Sequence, residues 1–467
     1  MSVVEQPQAD LVARYGGNLP RYTSYPTAAS FTEAVGSPQV EQWLAALPVS
    51  EPVSLYFHVP FCDELCRFCG CNTSVMRHES GRVAYADLLR EELHRYVQAL
   101  GAQRRVGHVQ FGGGTPTTLP PEALRALIRA VRLWFSLEPQ AELSMELDPR
   151  HLPPGRLDLL AELGFNRVSL GVQDIDPRVQ EACGRIQPFE QTRDCVQQAR
   201  AAGIAGVNID LIYGLPYQSV QSIAETARQI AALRPDRLAV FGYAHIPWKQ
   251  KRQSLIPAES LPDSTERLAQ RARMDAVLVE AGYVPIGLDH YALPHDPLAR
   301  AATDGTMHRN FQGYTTDACA VLLGIGASAI SMLPEGFAQN EVNTAAYARA
   351  MAASSALPVV RGVARSAQDR ARGAIIERIM CDMGVCLDGG PIAALAHEGG
   401  EDGFAEELAA LRPFVHDGLI QLEGTNIRVT ERGRPFLRNI AAVFDTHHAV
   451  LVAQAGEKAR PRFSGAL

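Results

Sequence analysis

Between residues 53 and 290 the chain alternates two hydrophobic patterns. Runs rich in β-branched and aromatic residues read as strands: SLYFHV (54–59), GHVQFG (107–112), ELSMEL (142–147), RVSLGVQ (167–173), GVNIDLIYG (206–214) and RLAVFGYAH (237–245). Between them apolar positions recur at helical spacing around 82–100, 121–135, 154–163, 188–202, 218–233 and 262–281. Strands that alternate with helices predict βα units and a parallel sheet. Right-handed crossovers narrow this to a doubly wound sheet or to all or part of a (β/α) barrel. The architecture expected is α/β: six units curled into three-quarters of a barrel, open on one side.

The flanks differ in pattern. Residues 1–50 contain Pro and Gly and the aromatic-polar stretch NLPRYTSYPTA (18–28), which reads as an arm. The barrel and its extension are assigned to 51–350. An Ala/Ser/Pro-rich stretch at 352–366 marks a boundary, and 366–467 reads as a mostly α-helical C-terminal domain capping the barrel. Within it DGLIQLEGTNIRVTERGRPFLRNI (417–440) has a strand, turn, strand, helix order resembling a winged helix.

Composition limits the function classes. The 467 residues are 46% hydrophobic and 20% charged, which is globular and long enough for two or three domains. A net charge of −7 argues against general nucleic-acid affinity, so DNA binding through the winged-helix-like segment is not expected. The same charge means that an anionic ligand needs a local basic pocket. MSVVEQPQADLVARY lacks an apolar segment behind a basic start and is not read as a secretory signal. No run of about 18 apolar residues predicts a membrane span. Nine cysteines, four of them in one loop, do not form the framework of a disulfide-stapled domain, and a reducing cytoplasm is expected.

Chemistry in such a barrel collects at the C-terminal strand ends, where the unusual residues fall. PFCDELCRFCGCNT follows the first strand and GGGTPT the second; Glu146 and Asp148 close the third, Gln173 and Asp174 the fourth. Asp210 and Tyr213 lie on or after the fifth, and Tyr243, Ala244 and His245 end the sixth. A zinc site usually takes two separated cysteine pairs, and no second pair lies downstream, although His58 or His78 would complete a knuckle. A dithiol redox motif accounts for Cys66 and Cys69 but not Cys62. A [4Fe–4S] cluster fits the spacing C-x3-C-x2-C of Cys62, Cys66 and Cys69 better, since thiolates hold its irons and one loop can wrap it. Cys71, two residues past Cys69, is poorly placed for the fourth corner, which leaves one iron open. The glycines of FGGGTPT let backbone polar groups approach a ligand carrying an amine and a carboxylate. Taken singly, each of these has a plain structural alternative: a tight turn for the glycines and rim hydrogen bonding for Glu146, Gln173 and Asp210. For Arg185 it is a solvated arginine, and for Tyr56 a packed aromatic.

Cysteine loop, glycine segment and barrel together resemble the radical S-adenosylmethionine (SAM) superfamily, with Phe68 as the aromatic before the third cysteine. More narrowly, the chain is similar over nearly its whole length to the oxygen-independent coproporphyrinogen III oxidases of heme biosynthesis. The similarity is carried by RYTSYPTA, LYFHVPFCDELCRFCGCNT, QFGGGTPT, MELDPR, GVQDIDPRVQEACGRIQ, NIDLIYGLP, YAHIP, HRNFQGYTT and GIGASAISM. The resemblance implies that Cys62, Cys66 and Cys69 hold the cluster. It implies two SAM molecules, the first touching Tyr56, Gly113, Glu146 and Ile330. The second touches Phe68, Gly114, Thr115, Gln173, Arg185, Asp210 and Ala244. Cys71 matches a family cysteine that does not ligate the cluster, and Tyr56, Cys71 and Glu146 are the catalytic candidates. The implied reaction is oxidative decarboxylation of two propionates of coproporphyrinogen III to vinyls, giving protoporphyrinogen IX. It implies an electron donor of flavodoxin or ferredoxin type, a separate electron acceptor and a monomeric enzyme, with no nucleic acid or membrane partner.

Two arginines are read as contributors to a propionate pocket, Arg21 in the arm and Arg309 in HRNFQGYTT, each with a surface or structural role as the alternative. Tyr22 and Tyr25 either pack on the tetrapyrrole face or belong to the core of the arm. The nearest rival function is a heme chaperone on the same scaffold. Such paralogues resemble the chain in barrel and cysteines, but lack the counterpart of Cys71 and the RYTSYPTA arm, both present here. A radical SAM methyltransferase or heme-degrading relative is a third reading, and a zinc-bound winged-helix regulator a fourth.

Overall fold

The computed structural model describes residues 8–400, 403–448 and 450. Residues 1–7 of the expected arm and 451–467 of the expected C-terminal domain lie outside them. Six parallel strands stand side by side in chain order: β1 (Val53–Val59), β2 (Arg105–Gly113), β3 (Ser136–Leu147), β4 (Arg167–Gln173), β5 (Gly206–Tyr213) and β6 (Arg237–Gly242). Each is followed by helix in the predicted places, among them Glu79–Leu100, Pro121–Trp134, Phe189–Ala201, Val220–Ala232 and Ser264–Glu280. Beyond β6 the sheet gains two short antiparallel strands, β7 (Val284–Ile286) and β8 (His290–Ala292). On the other side β9 (Val321–Ile325) runs parallel to β1. Three antiparallel strands extend it: β10 (Ile330–Leu333), β11 (Gly336–Asn340) and β12 (Val359–Ala364). The sheet therefore has twelve strands, and its last strand lies inside the Ala/Ser/Pro-rich stretch.

Period-two alternation decides which side chains meet the lumen. Along β3, β4 and β5 the aliphatic residues Leu143, Met145, Val168, Leu170, Val207 and Ile209 are buried against the helices, in the principal core. The alternate positions Glu146, Ser169, Gln173, Asn208 and Asp210 are only half-buried and turn inward. Register sets Glu146 beside Ser169 and Gly171 beside Asp210. The floor is closed by charge: Arg167 bonds Glu142 at 2.9 Å and Asp296 at 3.1 Å, and Arg237 bonds Asp296 at 2.7 Å.

The C-terminal region has its own core, built from helix Ala367–Asp382, four shorter helices and a three-stranded sheet of Gly384–Cys386, Asn426–Val429 and Ile420–Glu423. Segment 417–440 thus has the predicted strand, turn, strand, helix order. The arm belongs to that core too. Its helix Gln8–Tyr15 pairs Arg14 with Asp417 at 2.7 Å, and Tyr22 donates to Asp445 at 3.0 Å. Tyr22 and Tyr25 are buried there, which favours the core reading for both. No helix of the described residues is long and apolar enough to cross a membrane.

Candidate functional site

A cavity of about 580 Å³ opens at the C-terminal ends of β1–β6. Cys62, Cys66 and Cys69 line it, together with Cys71, Phe68, Gly113, Gly114, Thr115, Glu146, Gln173, Arg185, Asp210, Ala244 and Arg21. Three sequence candidates stand off its wall. Tyr56, on β1, bonds His58 Nδ1 at 3.2 Å and lies electrostatically close to Glu146 and Cys71. Ile330 starts β10 and packs its backbone on Gly324, the β9 partner of Tyr56. Arg309 is buried beneath the arm, where its Nη2 donates to the Arg21 carbonyl at 3.3 Å.

The glycine segment is held against the cysteine loop. Gly114 N–H donates to the Val59 carbonyl at 2.8 Å and Thr115 N–H to that of Phe61 at 2.7 Å. A Cβ at Gly114 would meet Phe61 O at 2.6 Å, so glycine is what permits the approach. Gly113 has a φ of 105° and its N–H donates to Glu146 Oε2 at 2.9 Å. Gln173 closes β4 at a φ of 71°, a conformation that costs a non-glycine residue about 1–3 kcal/mol and recurs at functional sites.

Charge is concentrated at the second ligand candidate, the buried Cys66. Its Sγ accepts from Arg150 Nη2 and from Arg185 Nη1, both at 3.5 Å. Both arginines also grip Asp148, at 2.7 and 3.2 Å. Burial would raise the Asp148 carboxyl, but Arg150 and Arg185 more than offset it and hold it below the usual range. Cys62 Sγ accepts from Thr115 Oγ1 at 3.6 Å, and burial pushes that thiol up to about 11. Cys69 is pulled down to about 6, chiefly by a hydrogen bond from the exposed Cys71 thiol. Burial lifts Glu146 to about 7 and Asp210 to about 6. Across the mouth Gln253 bonds the Phe68 carbonyl at 2.8 Å and Gln250 that of Gly70 at 2.9 Å, tying the segment after β6 to the cysteine loop.

These residues fit an iron–sulfur cluster. Three thiols line one cavity and each accepts a hydrogen bond from a neighbouring donor: Thr115 to Cys62, Arg150 and Arg185 to Cys66, and Cys71 to Cys69. The zinc alternative lacks its extra ligand: both His58 ring nitrogens are engaged, by Tyr56 and by the Asn72 carbonyl at 3.1 Å, and His78 stands exposed ahead of helix Glu79–Leu100. Arg150 and Gln253 escaped the sequence reading. The DPR turn after β3 was a usable signal for the first, because Asp148 caps it by accepting from Arg150 N–H.

Strand order, lumen and cysteine loop define a radical SAM enzyme, and the comparisons agree. Residues 56–230 match the Radical SAM superfamily, and residues 366–436 match the HemN C-terminal domain. The oxygen-independent coproporphyrinogen III oxidase of Bradyrhizobium diazoefficiens is 46% identical over 441 residues, 94% of this chain and 97% of that one. The Escherichia coli enzyme of the same name is 41% identical over 438 residues, 94% of each chain. A solved structure described as "Coproporphyrinogen III oxidase (HemN) from Escherichia coli is a Radical SAM enzyme" superposes with a TM-score of 0.87 at 38% identity, covering 95% of this chain and 99% of that one. The chain belongs to the oxygen-independent coproporphyrinogen III oxidase family. Its superfamily works with a [4Fe–4S] cluster and SAM.

Proposed function

We propose that the protein decarboxylates two propionates of coproporphyrinogen III to vinyl groups, giving protoporphyrinogen IX, with Cys62, Cys66 and Cys69 as cluster ligands. The observation that carries this reading is the cavity in which three thiols meet Glu146, Ser169, Gln173 and Asp210 from the ends of β3, β4 and β5. Held by these cysteines, the cluster would supply a single electron to SAM, and the pair would supply hydrogen-atom abstraction at a propionate β-carbon, the electron released with CO₂ passing to the separate acceptor. The chain's own residues do the rest. Arg150 and Arg185 place positive N–H donors on the Cys66 sulfur, which stabilises added electron density there. Gly113 presents backbone to the first SAM, with Glu146 beside it and Tyr56 and Ile330 behind, while Gly114 and Thr115 serve the second. Phe68, Gln173, Arg185, Asp210 and Ala244 supply polar and apolar contacts for a second SAM, one per decarboxylation. In this structure Arg185 is committed to Asp148, so that role requires it to share its guanidinium. Gln250 and Gln253 hold the cysteine loop shut against water.

The arm favours this reading over the heme chaperone: Leu19 and Arg21 form part of the cavity wall, so losing the arm would remove part of the site. A single-electron protein of flavodoxin or ferredoxin type is the proposed donor, and the working form is a monomer. The deciding assay is anaerobic, with SAM, reductant, electron acceptor and coproporphyrinogen III. Protoporphyrinogen IX formation is expected. Its absence, together with stoichiometric heme binding, would establish the chaperone instead.

A further inference from the structure

Positive charge is distributed unequally around the cavity. On the cluster side Arg150 and Arg185 are neutralised by Asp148, and Arg150 also reaches Glu64 at 3.3 Å. On the arm side Arg21 and Arg309 share one carboxylate, that of Asp289, and Arg267 lies beside Arg21 without one. Arg309 Nη1 is 3.8 Å from Asp289 Oδ1, and the same carboxylate accepts from His290 at 2.8 Å. The remaining neighbours are phenols, which stay neutral: Arg309 lies 4.2 Å over Tyr314, and Arg267 is 6.0 Å from the Tyr213 ring. Arg438 holds the Leu19 carbonyl of the arm at 3.3 Å.

Arg21 lines the cavity, donates to the Gly242 carbonyl at 3.3 Å and stands 5.7 Å over Phe241. Arg267 reaches the same wall from behind: its Nη2 is 3.1 Å from where a Gly242 Cβ would stand, so the bare strand end lets the guanidinium approach. Its buried Nε has no hydrogen-bond partner, as is true of Nε and Nη1 of Arg309. Like charges gathered in a buried wall cost folding free energy unless a ligand of opposite charge compensates them. Burial and the charge of Arg21 together lower the Arg267 pKa, the direction expected of an uncompensated cation.

We propose that Arg21 and Arg267, with Arg309 as the residue that positions Arg21, form a carboxylate site on the arm side of the cavity. It holds the two propionates that persist in the product, not the two that are lost. The proposal rests on the substrate reading above. Its chemical basis is that loss of CO₂ removes the charge that a guanidinium stabilises. A strong ion pair therefore anchors a carboxylate and opposes its departure. Propionates clamped by the uncompensated arginines are held out of reaction. The reacting one lies toward the sulfur side, where Asp148 neutralises Arg150 and Arg185 and the further lining arginine, Arg252, is engaged by Thr73 at 3.1 Å.

The test uses reconstituted protein and two stable oxidised porphyrins, coproporphyrin III with four propionates and protoporphyrin IX with the persistent two, measured by fluorescence titration. Arg267→Gln is expected to weaken both about tenfold, with Arg267→Lys recovering most of the loss. The Arg267→Gln melting temperature should hold or rise, because no hydrogen bond is lost and repulsion is relieved. Unchanged affinities, a loss confined to coproporphyrin III, or a lowered melting temperature would each overturn the proposal. Wild-type protein that turns over coproporphyrinogen III while binding without arginine dependence removes only this inference. Wild-type protein that neither binds nor converts the tetrapyrrole removes the substrate reading as well.

Discussion

Gly114→Ala tests whether the glycine segment is built for contact with the cysteine loop. The added Cβ would lie 2.6 Å from Phe61 O and 2.9 Å from both Phe61 N and Pro60 C, all backbone atoms that cannot rotate away. Ordinary contact begins near 3.4 Å, so the two segments must part by about 0.8 Å. That movement strains the Gly114 to Val59 and Thr115 to Phe61 hydrogen bonds, at 2.8 and 2.7 Å, which join the loop to β2. Overpacking costs about 1–3 kcal/mol and a weakened backbone bond about 1 kcal/mol, so about 2–4 kcal/mol is expected. Expressed in ligand binding, this is at least about a thirtyfold loss. The control is Gly70→Ala in the same loop, where a Cβ would find nothing within 4 Å. After anaerobic reconstitution, iron content, iron–sulfur absorbance and SAM affinity should fall in Gly114→Ala and hold in Gly70→Ala. Equal values for the two variants would refute the claim that the close approach organises the site.

The cysteine loop makes a second prediction: Cys66→Ser loses the iron–sulfur absorbance, whereas Cys71→Ser keeps it and impairs turnover. Loss in both would end the assignment of three ligands and one outsider. A third concerns Glu92, which burial pushes from 4.5 up to about 7 against hydrogen bonds from Tyr347, Gly326 and Asn340. Between those pH values the folded chain keeps a proton that the unfolded chain has released, so stability falls by about 3 kcal/mol as pH rises through that window. Glu92→Gln cannot titrate, so the difference between wild type and variant in urea unfolding should change by that amount from pH 4.5 to 7; a flat difference would refute it.

How much of this was legible in the sequence depended on how far apart the cooperating residues lie. The six barrel strands and their helices were readable because each carries its own period, and the site rim followed from the strand-end positions of Glu146, Gln173 and Asp210. The cysteine loop was readable because its chemistry is local. Strands β9–β12 were not, since segments such as VLLGI are buried at every position and too short for a period to emerge. The arginine site was harder still. Arg21, Arg267, Asp289 and Arg309 come from an arm, a helix, the residue before β8 and a hairpin, and no local pattern links them. Each of the three arginines looks like one more cation in a chain whose net charge is negative. What distinguishes them is the absence of enough neighbouring carboxylate, which only the folded chain reveals. Charge composition predicted that an anionic substrate would need a local basic pocket; the fold shows a wall of this cavity where basic side chains outnumber their partners. That wall shares one cavity with the thiols, so on the proposed reading the same asymmetry that binds a tetracarboxylate would also decide which of its carboxylates is left free to react.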